Sequence, residues 1–203
     1  VIVKRLQVLV VLTSLYIAAE VVSNATAGRL VQIGPLVLPG AIFLYSLTFT
    51  LRDAIHTAGG YAAARGVVWG GFLANALLAL YGLFVLALPA PAWFSGEAYA
   101  QVFGQSARVV VASLSAYLLA QLANTWIFER VRGSILAKVT SSNALAVLLD
   151  TAIFITLAFA GTGAPLLNMM LGQILFKFAL SLALLPLVYA VRPLLTPDPT
   201  DSV

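Results

Sequence analysis

The sequence predicts an all-α membrane protein, a compact bundle of six transmembrane helices with both termini on the cytoplasmic side. Three observations carry that expectation. The 203 residues are 62% hydrophobic and only 9% charged, whereas a soluble domain carries about 25% charged residues. The apolar residues fall into six runs, each long enough for the roughly 20-residue helix that crosses a bilayer. The charges collect in alternate connections between those runs. Strands of an outer-membrane barrel would be about 10 residues long and alternating, which these runs are not.

The six runs cover residues 6–27, 35–58, 66–88, 107–128, 139–160 and 165–191. Gly28, Gly34-Pro35, Gly59-Gly60, Pro89-Ala90-Pro91, Gly133 and Gly161-Thr162-Gly163 separate them, and Gly and Pro clusters are the chemistry of turns. Lys4 and Arg5 ahead of the first run have the look of a signal peptide. That run is too long for one, and no small-residue cleavage site follows a short core. It reads as a retained helix. Residues 1–192 then form one transmembrane domain and 193–203 a polar cytoplasmic tail.

Basic residues set the orientation. Lys4 and Arg5, then Arg65, then Arg130, Arg132 and Lys138, then Arg192 mark one side. The other side has Arg29, Glu97 and a fifth loop without charge. Lys and Arg stay cytoplasmic, so that rule places the first side inside the cell, with the inner membrane as the location. The net charge of +4 therefore reports topology and not a nucleic-acid surface. There is no cysteine and a single histidine, which excludes disulfides, thiolate metal sites and a His-rich metal cage; no cofactor is expected. The long third loop, 89–106, carries Trp93, Phe94, Tyr99 and Phe103. It reads as an aromatic segment at the outer interface, with a lid over an outward cavity as the alternative. Gly66, Gly70 and Gly71 form a small-residue face that permits close helix packing, within the protomer or across a homodimer seam.

Glu20, Arg52, Asp53, His56, Arg108, Asp150 and Lys177 sit in or beside the apolar runs. An ionisable side chain at the bilayer centre costs about 2.5–3.5 kcal/mol on insertion scales, so each needs a partner or a function. A purely structural membrane protein has no reason to bury so many. At 1.5 Å rise per residue, Asp150 and Lys177 fall at matching depths near the middle of their helices, and Glu20 and Arg108 at matching depths near the outer side. Asp150 and Lys177 are therefore expected to pair, and Glu20 could meet Arg108. Arg52 and Asp53 are adjacent, point about 100° apart and are not expected to face each other. On the fourth helix Ser113, Tyr117, Gln121, Asn124 and Phe128 recur at helical spacing, giving one polar and aromatic face. Such a face cannot meet lipid cheaply; it is interhelical glue or the wall of a site. Tyr45, Phe49, Asp53 and His56 share a face of the second helix. His56 lies near the inner interface, where water can reach it.

The order of these residues is specific. Phe49, Asp53, Gly60, Ala64 and Arg65 keep a Phe-x3-Asp-x6-Gly-x3-Ala-Arg spacing. Ser23-Asn24 precede them. Arg108, Ser113, Tyr117, Gln121, Asn124, Phe128 and Val131-Arg132 follow, then Asp150-Thr151 with Ala158-Phe159, then Lys177 and Pro186. In this the chain resembles the VUT family of queuosine precursor transporters over nearly its whole length. Thr57, Gly59 and Asn124 depart from the family pattern, where Glu, an aromatic residue and Asp are common. The resemblance implies a six-helix inner-membrane importer of 7-deazaguanine bases, namely preQ0, preQ1 or queuine, used in tRNA modification. Motif and depth together name Asn24, Tyr45, Phe49, Asp53, Arg108, Ser113, Tyr117, Gln121, Asn124, Asp150 and Lys177 as candidate substrate contacts. Such a base presents an N1–H and a 2-amino group that a carboxylate accepts. Its O6 takes a donor such as Gln121, Asn124 or Lys177, and its flat ring takes an aromatic face such as Tyr117, Tyr45 or Phe49.

The alternative is a substrate-binding subunit resembling the S-components of ATP-driven vitamin importers. The chain carries no GxxxxGK[ST] phosphate loop, so ATP use would need a partner. An enzyme is not expected: there is no HExxH and no nucleophile–base motif. The expected partners are a small purine-like base and the lipid bilayer, without nucleic acid.

Overall fold

A computed structural model describes residues 2–27, 29–33, 36–104 and 107–191. Gly28, Gly34, Pro35, Arg192 and residues 193–203, expected as a polar tail, lie outside the described residues. Among the described residues the protein is mostly helical, and five helices are long and apolar enough to cross a membrane. They are α1 (Ile2–Thr26), α2 (Ile42–Leu86), α4 (Ala107–Arg130), α5 (Ile135–Phe159) and α6 (Leu166–Ala183), with α4 counted together with the short α3 (Glu97–Phe103) before it and α6 with α7 (Leu185–Val191) after it.

The 45-residue α2 is not a straight rod. Gly60 interrupts it with φ +76° and ψ −173°, a conformation essentially restricted to glycine. The side-chain neighbours show what the interruption does. Thr48 and Asn75 both reach the carboxyl of Glu20 on α1. In an unbroken helix they would stand about 40 Å apart. Residues 42–59 and 61–86 are therefore two arms folded back on each other, both lying along α1. Leu9 of α1 packs against Gly59 beside the fold. The Gly59-Gly60 breaker expected from the sequence is thus a hairpin bend with a single non-helical residue.

One expectation is corrected. The second apolar run was expected to be helical from Pro35. Instead Leu30–Ile33 (β1) and Leu36–Pro39 (β2) pair antiparallel, with Leu30 opposite Pro39 and Ile33 opposite Leu36. Pro39 and Gly40 are poor interior helix residues, so the helix starts only at Ile42. Leu38 is buried, and β2 packs on α6.

The other ends follow the turn chemistry. The Ser134 hydroxyl accepts from Ala137 N at 3.2 Å and caps α5. Gly161 and Gly163, both at positive φ, turn α5 into α6. The last run, expected as one helix to residue 191, breaks at Leu184. Pro186 has no N–H to offer the preceding turn. The following α7 folds its buried Val188 against Phe128 and Val139. The small-residue face packs inside the protomer in part: Gly70 meets Ile17, and Gly71 meets Tyr16 and Tyr117, while Gly66 has open space. In the third loop, α3 lays Phe103 against Gly82 of α2.

Candidate functional site

Buried polar side chains run through the bundle in tiers. At the α3 end, Asn24 Nδ2 donates to Asn75 Oδ1 at 2.6 Å, and Ser113 Oγ donates to Asn24 Oδ1 at 3.2 Å. These three residues line a cavity of about 40 Å³ that Val102 and Phe103 of α3 border. It holds water-sized guests, whereas ligand pockets run to roughly 300–1,000 Å³. One turn deeper, Tyr16 Oη donates to Tyr117 Oη at 2.8 Å, which leaves Tyr117 to donate to Val68 O at 2.9 Å.

The middle tier is built on charge. Lys177 Nζ donates to Asp150 Oδ2 at 2.6 Å and to Gln173 Oε1 at 2.9 Å. Tyr45 Oη donates to the other carboxylate oxygen of Asp150, also at 2.6 Å. The ammonium lies 5.2 Å from the Tyr45 ring centroid, and Tyr45 meets Phe49 edge-on at 5.6 Å. Asp150 and Lys177 are each about 95% buried. A buried charge persists only when paired and hydrogen-bonded, and this pair has both.

Two turns along α2, Arg52 and Asp53 are fully buried and paired through Nη2 and Oδ1. Asn143 of α5 ties the tier together. Its Nδ2 donates to Asp53 Oδ2 at 3.1 Å and Ser181 Oγ at 2.8 Å, and its Oδ1 accepts from Asn124 Nδ2 at 2.7 Å. Several atoms here have no hydrogen-bond partner among the described residues: Arg52 Nε and Nη1, Asn124 Oδ1, and both ends of the Gln121 amide. Arg52, Gln121 and Asn124 are all wholly buried. Such orphans each cost about 1–3 kcal/mol, and a native site that keeps them calls for a reason. Beyond this tier His56 Nε2 sits 2.8 Å from Glu129 Oε2, its ring over Phe128 at 4.4 Å.

Residues 39–191 match the family described as "Putative vitamin uptake transporter". The chain belongs to that family. It is also 28% identical over 194 residues to a protein of Bacillus subtilis (strain 168) named "Probable queuosine precursor transporter", an alignment covering 91% of this chain and 84% of that one. No solved structure matches. The family match spans the middle and lower tiers whole, with Asp53, Asn124, Asp150 and Lys177 inside it; Glu20 and Asn24 of α1 lie before it.

In this family member the structure gathers most of the residues expected from the sequence. Tyr45, Phe49, Asp150 and Lys177 meet in the middle tier, Asp53, Gln121 and Asn124 lie in the lower one, and Asn24 and Ser113 meet in the upper one. The Asp150–Lys177 pair forms as expected. Two expectations are corrected. Arg108 does not meet Glu20: exposed at the start of α4, it donates from Nε to Leu157 O and from Nη2 to Ala160 O, both at 2.6 Å, closing the carbonyl end of α5. Depth was matched but direction was not, because Arg108 points from the start of α4 towards the end of α5. Arg52 and Asp53 do face each other, because a long guanidinium stem covers the 100° between adjacent positions. Tyr117 commits its hydroxyl to Tyr16 and the α2 backbone, which makes it a brace between three elements.

Asn143, Gln173, Ser181, Arg52 and Asn75 complete the tiers and were not singled out as substrate contacts. Periodicity could have found three of them. Asn143 precedes Asp150 by seven residues, two helical turns on one face, and Gln173, Lys177 and Ser181 step by four.

Proposed function

We propose that this chain is a secondary transporter importing 7-deazaguanine queuosine precursors through the cell membrane, with six crossings and both termini cytoplasmic. The two α2 arms supply the second and third crossings, and the loop charges supply the orientation. The observation that carries the substrate reading is the lower tier. A carboxylate, a guanidinium and three amides converge there inside an apolar bundle, and several of their hydrogen-bonding atoms have no protein partner. Asp53 accepts the N1–H and 2-amino edge of the base, Gln121 and Asn124 meet O6 and the remaining edge, and Phe49, one turn from Asp53, offers a ring face. The name of the Bacillus relative supports the same substrate class.

In this reading the compact packing around these groups belongs to an occluded state of the carrier. In it Asp53 and Asp150 are held by their own partners, and a base exchanges with those partners during the cycle. The test is ligand-dependent stability of the purified chain with preQ0, preQ1, queuine, guanine and adenine. A ligand at one hundred times its Kd stabilises by about 2.7 kcal/mol. Stabilisation by a 7-deazaguanine and none by adenine is expected; indifference to all five overturns the substrate class. Uptake into liposomes holding this chain alone is also expected, and binding without uptake would instead indicate a subunit of an ATP-driven importer.

A further inference from the structure

Glu20 is treated differently from the other buried carboxylates. Asp53 has Arg52 and Asp150 has Lys177, but among the described residues no ion pair reaches Glu20. The side chain is completely buried. Its Oε2 accepts one long hydrogen bond, 3.5 Å, from Asn75 Nδ2, and its Oε1 has no hydrogen-bond partner among the described residues. Thr48 is a further polar neighbour, its hydroxyl shared with Tyr45 O at 2.7 Å, so Glu20 has only uncharged partners.

The charged and titratable surroundings say the same. Tyr16 stands on its own helix, Tyr45 on α2 and Tyr117 on α4, all hydroxyls engaged elsewhere; Asp150 on α5 is the charged group acting on it, with the same sign. An isolated ionised carboxylate in an apolar interior is resolved by neutralisation. A route for the proton is at hand. Asn75, which touches Glu20, and Asn24, which donates to its backbone carbonyl at 3.4 Å, both line the cavity at the α3 end. That cavity exceeds the roughly 10–15 Å³ one water needs.

We propose that Glu20 is a proton-binding site of the transport cycle, loaded from the cavity under Asn24, Asn75 and Ser113 and discharged to the opposite side. This rests on the carrier reading and its orientation, which make that cavity the outward one. One proton joins a Glu20 carboxylate oxygen from outside and leaves it inside, so each base imported is accompanied by one proton. Glu20 couples to the base through space and through Asp150, and is not itself a substrate contact.

Two measurements on the full chain in liposomes test this. The first uses no substrate: infrared difference spectroscopy at neutral pH. The parent is expected to show the carbonyl stretch of a buried protonated carboxyl that Glu20→Gln lacks. Absence of the band in the parent, or its persistence in the variant, overturns the proposal. The second uses labelled preQ0 and an acid-outside gradient. The parent is expected to accumulate preQ0 and to acidify a trapped pH dye. Glu20→Gln is expected to lose both while still exchanging labelled for unlabelled preQ0. Accumulation by the variant equal to the parent overturns the proposal. A parent that moves no preQ0 counts against the carrier reading, and the infrared result still decides the proton at Glu20.

Discussion

At the residue scale the energetics of a buried ion pair give the sharpest expectations. Lys177 Nζ and Asp150 Oδ2 are 2.6 Å apart in a nearly dry setting. Removing one partner of such a pair costs about 3–5 kcal/mol, whereas replacing both can be nearly neutral. Lys177→Met alone should therefore lower thermal stability in detergent, and adding Asp150→Asn should restore most of it. Single variants as stable as the parent would show the pair contributes nothing. The double variant should fold yet fail to take up a deazaguanine; normal uptake would reduce the pair to scaffold. Gln121 gives the opposite case. Its buried amide has no protein partner, so Gln121→Leu should leave stability unchanged or raised. It should weaken base binding by about 5- to 150-fold, the equivalent of the 1–3 kcal/mol that a lost buried hydrogen-bonding group costs. Unaltered affinity would remove Gln121 from the site. Depth along a helix is legible in a sequence, and it found Asp150 with Lys177. Rotation about the helix axis and the choice of neighbour are not, which is why Glu20 was matched with Arg108.

At the element scale, helix existence was legible because long apolar runs between Gly and Pro clusters leave little choice. The β1–β2 hairpin was not. Leu36-Val37-Leu38 is an apolar run as compatible with a helix as with a strand, and only Pro39 and Gly40 hinted that the helix starts later. Glycines whose environment is crowded make testable joints. A Cβ on Gly71 would meet the Tyr117 hydroxyl, which is anchored on the Val68 carbonyl and cannot swing away freely. Gly71→Ala should destabilise, by about 1–3 kcal/mol as overpacking does, and Tyr117→Phe should relieve part of that loss. The cycle of the two changes should thus show coupling measurable by thermal unfolding. Additive effects would mean the contact is not close.

At the scale of the whole molecule, orientation is decided by sparse charges and can be read chemically. The chain has no cysteine, so a single introduced thiol is an unambiguous probe. A cysteine at Ser95, exposed between the α2 end and α3, should react with an impermeant reagent in intact cells. One at Ser134, exposed at the start of α5, should not. The reverse pattern would invert the bundle and make the cavity beside Glu20 face inward. The bend at Gly60 bears on how such a bundle is made. With one non-helical residue between the α2 arms, no soluble segment separates them for the insertion machinery to hold back or pass across. Arg65 is stacked 5.5 Å from the Tyr61 ring just past the bend, and in the proposed orientation it holds the tip on the cytoplasmic side. On the proposed six-crossing topology the arms enter the bilayer together, as a preformed helical hairpin, and Glu20 on α1 meets Thr48 and Asn75 in that same event.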